Sequence, residues 1–240
     1  MGRSSETGPA SSRRGPALAG IPFLFPVDLC FPPGEEGGAA AVPRGCRVAG
    51  VDEVGRGSLA GPVVAAAVIL PAEARIPGLA DSKLLGPAVR ARLAGEIAVV
   101  ATAWAVAAVE AVEIDATDIL RATFRAMAVA VAELSPCPGL VLVDGTMVPR
   151  LTVPARAIVK GDRTVPAISA ASIMAKVTRD RIMEAWADRF PVYGFAQHKG
   201  YGTAGHRAAI ACYGPSPIHR CSFAGVREFF GGRAEQGSLW

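Results

Sequence analysis

The chain lacks any apolar stretch long enough to cross a membrane, which takes roughly 18 uninterrupted residues. The longest candidate, residues 62–70, has the length of a buried strand. Hydrophobic residues make up 51% and charged residues 19% of the 240 residues, a balance that is typical of a globular protein and excludes a disordered one. The sequence therefore predicts a non-membrane protein whose length favours one substantial core.

The cysteines and histidines lack the spacing of a metal site. The five cysteines are odd in number and scattered, without a C-x-x-C pair. This pattern argues against a disulfide framework and a zinc site, and it predicts the reducing cytoplasm as the location. The three histidines lack the close helical spacing of a metallohydrolase motif, so we interpret them as hydrogen-bonding residues and not as metal ligands: His198, His206 and His219.

Lysine is scarce. The net charge of +4 is by itself a weak argument for nucleic-acid binding. The 25 basic residues divide into 21 arginines and only four lysines, namely Lys83, Lys160, Lys176 and Lys199. Either four is simply a small sample, or the lysines mark places that need a compact, flexible ammonium group instead of a planar guanidinium. Each of them falls inside a motif described below.

The two ends of the chain differ from its centre. Residues 1–44 are rich in Gly, Pro, Ala and Ser and show neither helix nor strand periodicity. Pro22, Pro26 and Asp28 interrupt their apolar stretch, so we predict a disordered extension there and not a signal peptide. We also predict a flexible tail over residues 231–240. The folded domain is then expected to span residues 45–230.

The central region predicts an α/β domain. Alternating or continuous apolar runs predict strands over residues 47–54, 62–70, 99–109, 139–143 and 155–159. Helices are predicted over residues 86–97, 113–134, 166–186 and 203–212, the last with Thr203 as its N-cap. Three antiparallel strands followed by strands that alternate with helices indicate a layered domain with a mixed sheet.

Acidic residues stand at the ends of three predicted strands. Asp52 and Glu53 end the first strand, Asp144 follows the buried fourth strand, and Asp162 follows the fifth. Converging carboxylates repel one another and raise each other's pKa unless cations neutralise them. Mg²⁺ prefers oxygen ligands and binds substrate phosphate, which suits a two-metal mechanism. Each acid taken alone also has a structural explanation, since Asp-Gly is ordinary turn chemistry and an aspartate can cap a helix.

A glycine-rich segment links the first two strands. Its spacing, G-x-G-x-x-x-G over residues 55–61, differs from the dinucleotide-binding motif, and no G-x-x-x-x-G-K-[ST] loop occurs in the sequence. These glycines would let backbone amides approach a phosphodiester closely, with Arg56 nearby to bind phosphate.

Two later segments offer further polar groups. Ser169, Ser172, Lys176 and Asp180 share one face of the predicted helix 166–186, which is either a solvated face or one that meets a ligand. Tyr201 lies between glycines in the segment Q-H-K-G-Y-G-T, where an aromatic ring is either structural or stacks on a base or sugar.

Together these motifs closely resemble those of ribonuclease HII, the type 2 ribonuclease H family. The matching stretches follow the family's order: VAGVDEVGRG (48–57), DSK (81–83), VDG (143–145), VKGD (159–162), ISAASIMAKVTRD (168–180), YGFAQHKGY (193–201) and SF (222–223). The resemblance implies a ribonuclease H-like mixed five-stranded sheet flanked by helices, with a helical C-terminal portion.

The resemblance also implies roles for particular residues. The catalytic and metal-binding residues would be Asp52, Glu53, Asp144 and Asp162. The backbone of Gly55, Arg56 and Gly57 would sense the ribose 2′-OH, while Tyr201 would stack on the following deoxyribose. Positions that look like phosphate contacts are Lys83, Ser169, Ser172 and Lys176.

The implied activity is endonucleolytic hydrolysis, by two Mg²⁺ or Mn²⁺ ions, of the RNA strand of RNA–DNA hybrids. Cleavage would occur 5′ of a ribonucleotide, including single ribonucleotides in duplex DNA, and would leave 3′-OH and 5′-phosphate ends. Such an enzyme would serve DNA replication and repair, and we expect a monomer.

Three departures from the family's pattern stand out. Leu84 replaces a common second lysine, Gly202 replaces a frequent proline, and residues 1–44 match nothing in the family.

Three other hypotheses compete with this interpretation. The sister family, ribonuclease HIII, would show an extra N-terminal domain and a lysine in place of Arg56. A non-catalytic hybrid-binding module would gain nothing from clustered acids. A phosphohydrolase of small nucleotides would not need basic motifs spread along the chain.

Overall fold

A mixed five-stranded sheet organises the protein, as the sequence predicts. The computed structural model describes residues 45–79 and 85–230. Its strands are β1 (Val48–Val54), β2 (Val63–Ile69), β3 (Ala103–Val109), β4 (Leu140–Asp144) and β5 (Ala155–Ile158). Their order across the sheet is β3-β2-β1-β4-β5. Strands β1, β2 and β3 pair antiparallel, whereas β4 runs parallel to both β1 and β5.

Seven helices and two 3₁₀ turns complete the described part of the chain. The helices are α1 (Pro87–Val100), α2 (Ala111–Ala116), α3 (Ile119–Ala132), α4 (Gly161–Thr164), α5 (Pro166–Arg189), α6 (Phe195–His198) and α7 (Ala204–Tyr213). The 3₁₀ turns span Pro191–Tyr193 and Arg227–Phe229. None of these helices is long and apolar enough to cross a membrane.

Strand β2 separates two hydrophobic layers because its side chains alternate between the faces of the sheet. Val63 and Ala65 belong to the core on the α3 side, while Val64 and Ala66 belong to the core formed with α1 and α5. All seven residues of β2 are buried, which explains why its sequence is a continuous apolar run and not an alternating one.

Helix α5 lies unusually close to β1. A Cβ atom at Gly50 would stand 2.1 Å from the backbone carbonyl carbon of Ala167, so only glycine permits this approach. The close contact brings the first turns of α5, with Ser169 and Ser172, beside the acidic end of β1.

A third hydrophobic cluster joins the C-terminal helices to the segment after β1. It contains Leu59 and Ala60 from that segment, Met183 from α5, and Phe195 and Ile210 from α6 and α7. This cluster forms the helical C-terminal portion that the family resemblance implies, and it brings the 193–201 motif beside the 55–61 segment.

The structure corrects the prediction of one continuous helix over residues 113–134. The helix is divided into α2 and α3 because Asp118 takes extended backbone and its side chain accepts a hydrogen bond from the Arg121 amide, 2.8 Å away. An aspartate in this position starts a new helix. The predicted strand 99–109 also begins later, at Ala103, since α1 continues to Val100. The Thr203 N-cap is confirmed by its bond from the His206 amide.

Several predictions fall outside the described residues. These are the disordered extension over residues 1–44, the flexible tail over residues 231–240, and the D-S-K motif with Lys83 and the neighbouring Leu84.

Candidate active site

The acidic residues come to one edge of the sheet through strand pairing. Val51 of β1 is in register with Val143 of the parallel strand β4, so the next residues along the two strands are Asp52 and Asp144. Asp162 lies in α4, the single helical turn that follows β5. Its amide donates a hydrogen bond of 3.2 Å to Asp144 Oδ1. Residues far apart in the sequence thus share one edge, which we call the acidic edge (Asp52, Glu53, Asp144 and Asp162).

The surroundings of the acidic edge disfavour the ionised, negatively charged forms of Asp52 and Glu53. Asp52 is 5% exposed, and burial raises its pKa to about 7, with Glu53 and Asp144 adding to the rise and a hydrogen bond from Ser172 opposing it. Burial likewise raises the pKa of Glu53, with Asp144 contributing, although the nearby Arg56 works in the other direction. Because desolvation and like charges both disfavour ionisation, the edge favours either protons or bound cations.

The side-chain oxygens do not form a closed ligand cage. Across residues 45–79 and 85–230, no three His, Cys, Asp or Glu side chains stand close enough together to hold one metal ion. Asp52, Glu53 and Asp144 nevertheless interact electrostatically, and Asp144 contacts the Asp162 backbone. The carboxylate-only donor set fits a hard divalent cation such as Mg²⁺ or Mn²⁺. The four-acid metal site therefore stays a prediction, supported by position and donor chemistry.

In the turn after β1, residues 55–57, the two glycines have different surroundings. Gly55 has a φ of +93°, and a Cβ atom there would stand 2.2 Å from Arg179 Nε, so glycine is required twice over. Gly57 is different, because no described atom outside its immediate chain neighbours lies within 4 Å of where its Cβ would be. The space beside Gly57 is therefore open.

Tyr201 lies directly beside this turn. Ser58 and Tyr201 form an isolated β-bridge, and the Leu59 amide donates to the Gly200 carbonyl over 2.8 Å. The tyrosine is 37% exposed, with the Arg179 guanidinium 5.4 Å from its ring centre. The structure thus brings together the two predicted recognition elements, the 55–57 turn and Tyr201.

The predicted polar stripe of α5 divides into two parts. The Ser169 hydroxyl is buried and donates 2.6 Å to the Asp162 carbonyl, so it holds α4 in place and does not face an open surface. Ser172 hydrogen-bonds Asp52. Further along, Lys176 Nζ lies 2.6 Å from Asp180 Oδ1 and is partly exposed. Of the predicted phosphate contacts on α5, Lys176 is the one with a charged side chain, and that side chain is 30% exposed.

Sequence reasoning missed two buried arginines, Arg179 and Arg220. Both are 0% exposed, and both donate hydrogen bonds to the segment that follows β1. Among 21 arginines nothing distinguished them, although Arg179 lies inside the 168–180 motif and Arg220 just precedes the SF pair. Proximity to a motif was the only available signal.

The histidines form a hydrogen-bonded cluster, as predicted. His206 Nε2 and His219 Nε2 are 3.0 Å apart, and the second nitrogen of His206 lies 2.9 Å from the Tyr201 carbonyl. The His198 ring stacks on that of His206. Burial lowers the pKa of both His206 and His219 to about 4, so the two rings are neutral at physiological pH.

Two solved structures similar to this one are ribonucleases H. The ribonuclease H2 of Pyrococcus horikoshii OT3 superposes with a TM-score of 0.66 and 29% identity, covering 76% of this chain and 96% of that one. A structure of Bst-RNase HIII in complex with Mn²⁺ has a TM-score of 0.58 at 18% identity, covering 78% and 70%, and shows the shared fold alone. The fold is that of the ribonuclease H class of enzymes.

The family follows from the sequence comparisons. The family model described as Ribonuclease HII matches residues 49–226. The Ribonuclease HII of Nitrosococcus oceani is 55% identical over 185 residues, which cover 77% of this chain and 92% of that protein. The chain belongs to the ribonuclease HII family. This confirms the resemblance and favours ribonuclease HII over its sister family, ribonuclease HIII.

Proposed function

We propose that this enzyme is an endonuclease that hydrolyses the RNA strand of RNA–DNA hybrids, including single ribonucleotides embedded in duplex DNA. One observation carries the proposal: Asp52 and Glu53 lead within two residues into the 55–57 turn, which packs beside Tyr201. A group that reads the sugar would thus lie next to groups that act on the adjoining phosphodiester. The 2′-OH is the chemical feature that distinguishes RNA from DNA at such a place.

The acidic edge would hold Mg²⁺ or Mn²⁺ through Asp52, Glu53, Asp144 and Asp162. Bound cations would supply an activated water and charge stabilisation of the leaving oxygen, yielding 3′-OH and 5′-phosphate ends. Ser172 would orient the Asp52 carboxyl group by its hydrogen bond. The carboxylates of the edge disfavour one another's ionisation. Bound cations would neutralise their charge and so stabilise the ionised forms.

The remaining groups would bind the duplex. The Arg56 side chain is 48% exposed and its Nη1 lies 3.5 Å from Glu53 Oε1, so its guanidinium would bind a phosphate beside the acidic edge. Tyr201 is 37% exposed, and its ring would stack on the sugar that follows the ribonucleotide. Lys176, together with Lys83, would contact phosphates farther along the strand.

The direct test is incubation of purified protein with a duplex that carries one ribonucleotide. We expect a single cut 5′ of that ribonucleotide with Mg²⁺ or Mn²⁺ and none with EDTA. A matched all-DNA duplex is the control, and labelling of the product ends checks for 3′-OH and 5′-phosphate groups. Cutting of the all-DNA duplex, or turnover in EDTA, would contradict the proposal.

We also propose that residues 45–230 form the catalytic domain of a cytoplasmic monomer that serves DNA replication and repair. The described cysteines Cys46, Cys137, Cys212 and Cys221 are all free thiols, which suits a reducing compartment. A shortened chain of residues 45–230 should retain the ribonucleotide-dependent cut and elute as a monomer in size-exclusion chromatography. Loss of the cut would show that the ends of the chain take part in activity.

A further inference from the structure

Arg220 grips the backbone of the 55–57 turn from inside the protein. Its guanidinium donates to the carbonyl of Gly55 over 2.7 Å and to that of Arg56 over 2.9 Å. The same group donates twice to the Gly61 carbonyl, over 2.9 and 3.0 Å, which closes the segment after β1 into a loop. Arg220 is fully buried, and its side chain therefore contacts the inner side of a turn whose outer side is exposed.

These bonds fix the direction of two peptide groups. In a planar trans peptide the N–H points opposite to the C=O. Since the carbonyls of Gly55 and Arg56 point inward to Arg220, the amides of Arg56 and Gly57 must point outward. Two successive outward amides form a small concave donor site for an oxygen atom. This donor site adjoins Glu53 through the ion pair with Arg56.

Arg179 fixes the surroundings of the turn but not the turn itself. It donates to the carbonyls of Ala60, Pro62 and Lys199, over 2.9 to 3.1 Å. These bonds hold the far end of the loop and the segment that carries Tyr201. Arg220, by contrast, donates to the two carbonyls whose peptide groups supply the outward amides, and the Ser58 amide also donates to the Gly55 carbonyl over 3.3 Å.

We propose that Arg220 is a positioning residue for sugar discrimination, which orients the amides of Arg56 and Gly57 to donate hydrogen bonds to the oxygen of the ribose 2′-OH. The inference rests on the proposed function, because it deepens how the same site selects its substrate. The segment carrying Arg220 is itself anchored, since Asp115 accepts hydrogen bonds from the amides of Cys221 and Ser222 over 2.7 and 2.9 Å. Loss of this anchor is expected to weaken discrimination to a smaller extent.

The test is a ratio of two dissociation constants, measured by fluorescence anisotropy without divalent cation so that no substrate is consumed. One duplex carries a single ribonucleotide, and the other is all DNA of the same sequence. Phosphate contacts are common to both duplexes, so the ratio isolates the 2′-OH. A merely structural defect would lower the fraction of folded protein. That fraction affects both dissociation constants equally, so their ratio does not change. The variants are Arg220→Lys and, as the matched control, Arg121→Lys at an exposed arginine that pairs with Asp118.

We expect wild type and Arg121→Lys to share one preference for the ribonucleotide duplex, and Arg220→Lys to lose about tenfold of it, as one well-placed hydrogen bond contributes. An unchanged ratio in Arg220→Lys, or no preference in wild type, overturns the inference. If Arg220→Lys shows no cooperative melting, Asp115→Ala decides in its place: a reduced ratio supports the inference and a wild-type ratio overturns it. Failure of wild type to cut the ribonucleotide duplex with Mg²⁺ would instead overturn the proposed function.

Discussion

The acidic edge and the buried arginine pair both place charge inside the protein, but they resolve its cost in opposite ways. Arg179 and Arg220 are fully buried, and their guanidinium groups donate three and four hydrogen bonds to backbone carbonyls. Burial raises the pKa of the Asp52 carboxyl group to about 7, and the nearby Glu53 and Asp144 add to the rise, although Ser172 and the Glu53 amide donate hydrogen bonds to this group. Burial of a charge is tolerated where hydrogen bonds replace water, and it is disfavoured where like charges meet.

The comparison separates structural charge from functional charge. The arginines find their partners within the chain, so their task is complete once the protein has folded. Although burial lowers the pKa of Arg220 to about 9, with Arg179 adding to the effect, that side chain still carries its charge at neutral pH. The acids, by contrast, have raised pKa values at Asp52 and Glu53, and we propose that they take bound cations as partners. A buried polar group that the fold does not neutralise is a candidate functional group.

The largest effect is expected at the acidic edge. Asp144→Asn should reduce cleavage of the singly ribo-substituted duplex by about a thousandfold. The substitution weakens the binding of a cation that would stabilise the transition state by several kcal/mol. Circular dichroism should show a folded protein with a cooperative melt. Wild-type turnover by this variant would remove Asp144 from the catalytic set and break the distinction between the two regions.

Next comes the stability of the arginine pair. Arg179→Ala should lower the free energy of unfolding by about 3 kcal/mol, since it leaves the carbonyls of Ala60, Pro62 and Lys199 without their buried donor. Urea denaturation measures the change. The control, Arg121→Ala, removes an exposed ion pair and should cost less than about 1 kcal/mol. Equal losses in the two variants would show that the buried pair has no special structural role.

The acidic edge should respond with the opposite sign. Asp52→Asn is expected to stabilise the protein in EDTA at pH 8 by about 2 kcal/mol, because it removes a buried charge that burial and neighbouring carboxylates disfavour. Differential scanning calorimetry measures the gain, and added Mg²⁺ should abolish or reverse it. A lower melting temperature for Asp52→Asn in EDTA would argue against repulsion at this edge.

The same gain should depend on pH in a defined direction. The pKa of Asp52 is raised from 3.8 to about 7 in the folded state, so the folded protein holds this proton more tightly than the unfolded chain. Stability from this group is therefore fully present below about pH 3.8, and it is lost as the pH rises towards 7. The advantage of Asp52→Asn should accordingly be absent near pH 4, grow between pH 4 and 7, and level off above. A constant difference across this range would assign the gain to packing.

The smallest effect is expected at Tyr201, whose ring lies beside Arg179. Tyr201→Ala should reduce cleavage about tenfold by removing one stacking contact with the substrate. Stabilisation of the protein by Mg²⁺ should remain at the wild-type value, since the ring is not part of the acidic edge. If Tyr201→Ala lost the stabilisation by Mg²⁺ as well as the cleavage activity, Tyr201 would have a structural role in supporting the acids.

Much of the fold could be predicted because its signals are local. The apolar run of β4 and the Asp-Gly that ends it fix both a buried strand and the position of Asp144 at its carboxyl end. The division between α2 and α3 was missed because helical periodicity continues across Asp118, and a side-chain cap interrupts it. The direction of Ser169 was also missed, since a shared helix face does not reveal which of its residues lies against a neighbouring turn.

By itself, the sequence determined the family, the strands and helices with most of their limits, and the acids at strand ends, because these follow from nearest neighbours in the chain and from ordered motifs. Only the tertiary structure decided that Arg220 would hold a turn 165 residues away and that Tyr201 would lie beside that turn. A guanidinium finds its carbonyls through packing of the whole chain, and neither its residue type nor its spacing records which carbonyls those are.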